Sequence, residues 1–145
     1  MNNWERMKAG RLYNADSKDL EKYHSFGMET CDKFNRTPLW MKKRKQRLLE
    51  KMIPSAKDGG VAVFAPFYCE YGVNIHFGKG CFVNYKCTFL DCAPITLEDG
   101  VWVGANVTIA TPCHPFLSDE RLPQQYPDGF LSLIHISEPT RLGMI

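Results

Sequence analysis

Residues 65–114 read APFYCEYGVNIHFGKGCFVNYKCTFLDCAPITLEDGVWVGANVTIATPCH, and this stretch decides the fold. It divides into eight units of six residues, each with an apolar residue first and a small or apolar one fifth, when Ile95 and Thr96 are treated as an insertion. A period of six fits neither an α-helix nor the alternation of a half-buried strand, and it is typical of a parallel β-helix of short strands joined by turns. We therefore predict a mainly β protein with a parallel β-helix over residues 61–114.

The repeat also predicts which side chains point inward, because only residues at the same unit position return to the same interior side. The first positions are Ala65, Tyr71, Phe77, Val83, Phe89, Leu97, Val103 and Ile109, and the fifth positions are Cys69, Ile75, Cys81, Cys87, Ala93, Val101, Val107 and Cys113. Phe77, Val83, Phe89, Val103 and Ile109 should be mostly buried. Four of the six cysteines occupy fifth positions, so we interpret them as reduced core thiols and not as disulfides or metal ligands.

Composition excludes several classes of protein. A chain of 145 residues has the size of one domain, and its formal charge of +2 gives no indication of a nucleic-acid partner. It contains no apolar run near the length of a membrane span, and its first ten residues carry charges where a signal peptide would be apolar. We therefore expect a cytoplasmic protein without a membrane partner.

Residues 1–58 carry no six-residue units and indicate an α-helical N-terminal segment. Apolar spacing predicts one helix from about Ser17 to Asn35, capped by Asp16 or Ser17, and a second over 39–52 that buries Trp40. Five cations within residues 42–47 could attract phosphates, but a solvated helix face is the favoured interpretation.

Residues 115–129 form a proline-rich loop, and residues 130–145 resume no recognisable pattern. The run LSLIHISEPTR, residues 131–141, matches the in-frame translation of a transposase adapter used to prepare sequencing libraries. We therefore expect 130–145 to be a tail foreign to the rest of the chain, and the β-helix to be truncated.

Two parts of the chain carry a family resemblance. ERMKAGRLYNADSKDL with FNRTP, and CEYGVNIHFGKGCFVNYKCTFLD with APITLEDGVWVGANVTIATPCHP, resemble the maltose and galactoside O-acetyltransferases, which are hexapeptide-repeat acyltransferases. The resemblance covers about residues 4–121. It implies a left-handed β-helix, a homotrimer, and transfer of an acetyl group from acetyl-CoA to a sugar hydroxyl. The family's later coils, which supply most of the coenzyme A groove, have no counterpart here, so we assign no coenzyme A residue.

The same resemblance implies the site residues. His114, in the sequence CHP, matches the catalytic histidine, and an imidazole suits a general base that takes the proton of a sugar hydroxyl. Asp16, Asn84 and Asp91 match positions that contact the acceptor, while helix cap, turn amide and solvated loop acid are their respective alternatives. Glu70 matches a variable position that tunes the choice of sugar.

Other functions are compatible with parts of this sequence. A non-catalytic trimeric β-helix scaffold would explain the repeat but not the combination of Asn84, Asp91 and His114, and the chain as given could also be an inactive fragment. A zinc hydratase on the same fold would need three histidine ligands, whereas residues 65–114 contain only His76 and His114, so we expect no metal. We interpret His76 as a turn residue and His24 as a helix-face residue.

Overall fold

The structure is a computed structural model that describes residues 1–114 and, as backbone only, residues 131–134. The three α-helices are α1 (Asn3–Lys8), α2 (Lys18–Arg36) and α3 (Lys42–Met52), followed by a 3₁₀ turn at Pro54–Ala56. The two predicted helices are confirmed as α2 and α3. Trp40 was expected to be buried, and this is wrong: it lies before α3 in the turn that follows Pro38 and is 79% exposed. Residues 115–130 and 135–145, where we predicted the loop and most of the tail, lie outside the described residues.

Eight short parallel strands wind into the β-helix: β2 (Ala62–Val63), β3 (Phe67–Cys69), β4 (Ile75–Phe77), β5 (Phe82–Val83), β6 (Cys87–Leu90), β7 (Ile95–Leu97), β8 (Trp102–Val103) and β9 (Thr108–Ala110). They stack into three parallel sheets, in the orders β2-β5-β8, β3-β6-β9 and β4-β7, which form the three faces of the coil. A separate antiparallel sheet has the order β1-β11-β10, with β1 at Tyr13–Asn14, β10 at Pro112–Cys113 and β11 at Leu131–Ile134. The predicted parallel β-helix is confirmed.

The register differs from the predicted one in the first and second coils. Val63, Val83 and Val103 are partners along one sheet, so each complete coil takes twenty residues. Ile75 pairs with Ile95, which places the second coil's two extra residues between Phe89 and Ile95 and not at Ile95 and Thr96. The first coil has an equal insertion that the sequence analysis missed.

Four assignments change with this register, and the first is Ala65, which gives its first position to Val63, the partner of Val83. Cys69, predicted at a fifth position, lies opposite Phe89 and takes a first position, while Phe67 takes the fifth position opposite Cys87. Tyr71 and Ala93 leave the β-helix interior for a second apolar cluster against the N-terminal segment. Both residues fit the six-residue pattern in the sequence because they are apolar and buried, but they are buried in the second cluster and not inside the β-helix.

The main core fills the β-helix and is closed at its first coil by the helices. Phe77, Val83, Phe89 and Val103 are buried as predicted, and Phe34, Leu49, Met52 and Ile53 cover the end of the coil. Phe67 and Phe89 pack edge to face with ring centroids 5.3 Å apart, and burying each ring contributes about 2–3 kcal/mol. Ile109 is only half-buried, because within the described residues no further coil stacks on its strand.

The cysteines follow the interpretation as core residues. Cys69, Cys81 and Cys87 are buried thiols, as are Cys31 and Cys92, which the repeat leaves unassigned, and Cys113 is half-buried. Across residues 1–114 and 131–134 no set of three or more His, Cys, Asp or Glu side chains could hold a metal ion. Over the same ranges no helix combines the length and apolarity needed to cross a membrane.

Candidate active site

Three successive turns of the β-helix stack at one corner, which follows β3, β6 and β9. Cys69, Phe89 and Ile109 are register partners there, so the residues after them lie one above another at the spacing of adjacent strands. Thr111 joins two of the turns, because its hydroxyl donates to the Leu90 carbonyl at 2.8 Å and accepts from the Ala93 N–H at 2.8 Å. We call this the Glu70 corner.

Two of the predicted site residues, Glu70 and Asp91, lie at the Glu70 corner, and a third, His114, lies a few residues further along the chain. Glu70 follows β3, Asp91 follows β6, and His114 follows β10, four residues after the end of β9. The His114 side chain is exposed. An exposed imidazole at the rim of the coil is free to approach a substrate, which is the first requirement of a general base.

Asp91 is completely buried, with 0% of its surface exposed. Its Oδ1 accepts hydrogen bonds from the N–H groups of Glu70 at 3.0 Å and Tyr71 at 2.8 Å, and its Oδ2 accepts from the N–H of Asn74 at 3.2 Å. Burial raises the pKa of the Asp91 carboxyl, and the hydrogen bonds from Tyr71, Asn74 and Glu70 oppose that shift.

Asp91 therefore fits neither of the roles that the sequence suggested, acceptor ligand or solvated loop acid. The carboxylate clamps the inserted residues of the first coil, since it satisfies three backbone N–H groups that the irregular turn leaves without strand partners. Asn74 completes the clamp by donating from Nδ2 to the Asp91 carbonyl at 2.8 Å.

Glu70 has a partner that the sequence analysis did not foresee. Its Oε2 lies 2.7 Å from Nε2 of His24, and both side chains are partly exposed. His24 was interpreted only as a helix-face residue, and 46 positions of sequence separate the pair. No local pattern signals a contact between residues so far apart; only the docking of α2 on the first coil creates it.

Asp16 follows β1, an edge strand of the small antiparallel sheet in which β11 separates β1 from β10. Because β11 belongs to the segment expected to be foreign to the rest of the chain, we infer no contact between Asp16 and His114 from this sheet. Asp16 is exposed two residues after Asn14, whose Oδ1 accepts its N–H at 2.9 Å. Ser17, and not Asp16, occupies the N-cap position of α2.

Asn84 is not brought to this corner. It follows β5, on a different face of the coil, and its Oδ1 accepts the N–H of Tyr85 at 2.8 Å. This hydrogen bond fits the turn amide that was its alternative interpretation. His76 also differs from expectation, because it is exposed in the middle of β4 and not in a turn.

Comparison with known proteins agrees with this architecture. Residues 6–57 match the family described as the maltose acetyltransferase hexapeptide capping motif. Nodulation protein L of Rhizobium meliloti is 30% identical over 139 residues, which are 96% of this chain and 70% of that protein.

Two solved structures are similar as well. A maltose O-acetyltransferase from Clostridium difficile superposes with a TM-score of 0.81 at 30% identity, over 92% of this chain and 68% of that one. A galactoside acetyltransferase in complex with coenzyme A gives a TM-score of 0.77 at 25% identity, over 92% of this chain and 64% of that one.

The comparisons also differ in how much of each relative they cover. The chain spans only 58% to 61% of the length of three further curated relatives. The repeat geometry, the matched N-terminal motif and the relatives covered over two thirds or more of their length nevertheless agree. The chain belongs to the maltose and galactoside O-acetyltransferase family of hexapeptide-repeat proteins.

Proposed function

We propose that the protein transfers the acetyl group of acetyl-CoA to a hydroxyl group of a sugar. The observation that carries the proposal is the exposed imidazole of His114 beyond β9, the strand that stacks on β6 and β3, after which Glu70 presents a partly exposed carboxylate. The solved neighbours named as a maltose O-acetyltransferase and as a galactoside acetyltransferase with coenzyme A supply the substrate classes.

His114 acts as the general base. Its imidazole accepts the proton of the sugar hydroxyl while the oxygen attacks the carbonyl carbon of the thioester. When the carbon–sulfur bond of the tetrahedral intermediate breaks, the imidazolium returns the proton to the departing sulfur, so that coenzyme A leaves as a thiol. Asp16 and Glu70 offer carboxylates that accept hydrogen bonds from the other sugar hydroxyls. We assign no residue to coenzyme A and no metal to the reaction.

The position of Asn84 favours an assembled site. Asn84 follows β5, whereas His114 lies beyond β9 on a different face of the β-helix, so we infer that both reach the same substrate only if Asn84 comes from a neighbouring subunit. We therefore include a homotrimer of left-handed β-helices in the proposal, with each site shared between two subunits.

Release of coenzyme A thiol, measured with and without glucose, maltose or a galactoside, tests the activity. We expect release that depends on sugar, and a loss of roughly 10²- to 10⁴-fold in kcat for His114→Ala. His76→Ala is the matched control, because His76 is exposed on β4 and should keep full activity. Thiol release without sugar dependence, or His114→Ala with normal turnover, would refute the proposal. A non-catalytic scaffold would instead assemble without releasing thiol.

Mixing two inactive variants tests the shared site. Asn84→Ala and His114→Ala are each expected to lose most activity, but a mixed trimer can join an intact Asn84 to an intact His114. Random exchange of equal amounts should restore about a quarter of the wild-type sites. If the mixture stays as inactive as the separate variants, both residues belong to sites within one subunit.

A further inference from the structure

A cluster of four partly exposed side chains and one buried ring, that of Tyr71, lies where α1 and α2 dock on the first coil of the β-helix. We call it the Glu70 patch; it consists of Trp4, Tyr23, His24, Glu70 and Tyr71. Trp4 stacks on Tyr23 with centroids 4.3 Å apart and meets Tyr71 edge to face at 5.2 Å. The imidazole of His24 lies 5.6 Å from the ring of Tyr71.

Glu70 is held in this patch from two directions. Its backbone N–H donates to the buried Asp91, and its Oε2 is engaged by His24. Gly27, one helical turn after His24, allows α2 to approach this closely, because a Cβ there would lie 2.6 Å from the Glu70 carbonyl oxygen.

The contact between His24 and Glu70 is not explained by a contribution to folding stability. The His24 and Glu70 side chains keep 43% and 31% of their surfaces exposed, and ion pairs that contact water add little to folding stability. The geometry instead leaves Oε1 of Glu70 available, since no hydrogen bond to that atom is found within residues 1–114.

Rings beside a carboxylate suit a carbohydrate. The C–H face of a sugar packs on an aromatic ring, while a carboxylate oxygen accepts hydrogen bonds from neighbouring hydroxyls. In this patch Tyr23 is 39% exposed and Glu70 supplies the carboxylate. Glu70 belongs both to this patch and to the Glu70 corner, where the turn after β3 stacks under the turns after β6 and β9.

We propose that His24 and Glu70 form one acceptor-selecting unit, in which His24 is a positioning residue that fixes Glu70 so that Oε1 accepts hydrogen bonds from the hydroxyls of the sugar. Tyr23 contributes the ring on which the sugar packs. This inference rests on the proposed function, because the bound sugar is the acetyl acceptor of that reaction.

Steady-state kinetics of Glu70→Gln, His24→Gln and the double variant test the unit. Each single substitution should raise the KM for the sugar about tenfold and leave the KM for acetyl-CoA unchanged. Because His24 acts through Glu70, adding His24→Gln to Glu70→Gln should cause no further loss. Glu29→Gln is the matched control, since it removes another ion pair of α2, with Lys33 at 3.7 Å, away from the patch.

Two results would overturn the inference. One is an unchanged sugar KM in Glu70→Gln, and the other is additive losses in the double variant, which would mean that the two residues act separately. A purely structural role would lower the melting temperature of the variants without changing the sugar KM.

A binding measurement separates this inference from the activity. The chain has three tryptophans, and Trp40 and Trp102 are 79% and 61% exposed, so Trp40→Phe with Trp102→Phe leaves Trp4 as the reporter. Titration with maltose or a galactoside should change Trp4 fluorescence, with a Kd about tenfold higher for Glu70→Gln.

The two readouts fail in different ways. Sugar binding at Trp4 without any acetylation would refute the proposed function and leave the patch supported. Acetylation without a Trp4 response and without a KM effect would refute the patch and leave the function supported. Absence of both binding and acetylation would refute both.

Discussion

The buried carboxylate of Asp91 should be among the most important polar groups for stability in the β-helix. In Asp91→Ala, the N–H groups of Glu70, Tyr71 and Asn74 lose their acceptor. A buried donor without a partner costs about 1–3 kcal/mol, so three of them place the lower limit near 3 kcal/mol. Removal of a desolvated charge offsets part of this cost. We therefore expect Asp91→Ala to lower the free energy of unfolding by about 3 kcal/mol.

Asp91→Asn should have an intermediate effect. Its remaining oxygen can still accept from Glu70 and Tyr71, but its amide group would face the N–H of Asn74, so one donor is lost at a cost of about 1–2 kcal/mol. Asp99→Ala is the matched control, because Asp99 accepts a single N–H, that of Lys79, at 2.7 Å in an exposed turn. Urea denaturation monitored by circular dichroism gives the three values.

Two measurements could contradict this account of Asp91: the order of the variants' stabilities and the pH dependence of stability. If the free energies of unfolding of Asp91→Ala and Asp99→Ala differed by less than about 0.5 kcal/mol, the size of an ordinary surface effect, the role of Asp91 as a clamp would be contradicted. Because burial raises the folded pKa of Asp91 above the ordinary value of 3.8, the native state holds that proton more tightly than the unfolded chain. The stability of the wild type relative to Asp91→Asn should therefore increase as the pH falls through the range just above 3.8.

The remaining predictions concern the helix interface and the base. Gly27→Ala should destabilise the protein by about 3 kcal/mol, because the new Cβ would lie 2.6–2.8 Å from backbone atoms of Glu70 and Tyr71. It should also raise the sugar KM, because the displaced helix moves His24. Ser25→Ala, at an exposed position of α2, is the control, and equal melting temperatures for the two variants would contradict the close approach. His114→Ala should keep the melting temperature of the wild type, since the side chain is exposed, and a large drop measured by differential scanning fluorimetry would assign His114 a structural role.

The regular part of the fold could be predicted from sequence because its signal is local and repeated. Val83 and Val103 recur at one position of the coil, and both are buried where the period of six places them. The first-coil insertion escaped because Tyr71 is also apolar and buried, but in the cluster beneath the N-terminal segment. A hydrophobic pattern indicates that a residue is buried, and it does not indicate in which core.

The candidate site was predictable only where a residue's role depends on its own chemistry. His114 is exposed and chemically suited to the role proposed for it, and the resemblance singled it out. Asp91 was singled out by the same resemblance, but its buried carboxylate is held by three backbone N–H groups from a different coil. Backbone groups are the same whatever the side chain, so the sequence does not reveal this contact. His24 depends on how α2 docks, so a pattern within the helix could not reveal its partner.

One irregularity connects the register error with the site. The two extra residues in each coil push the chain out of the β-helix at the corner after β3 and β6, which exposes backbone N–H groups that a strand would have paired. Asp91 satisfies those groups, and Tyr71 and Ala93 bury the protruding turn against the N-terminal segment. Glu70 is the residue that leads into this turn, so the clamp that stabilises the turn also orients Glu70 toward His24. It follows that weakening the clamp should displace Glu70 as well as lower stability, and Asp91→Asn should therefore raise the sugar KM under conditions in which it remains folded.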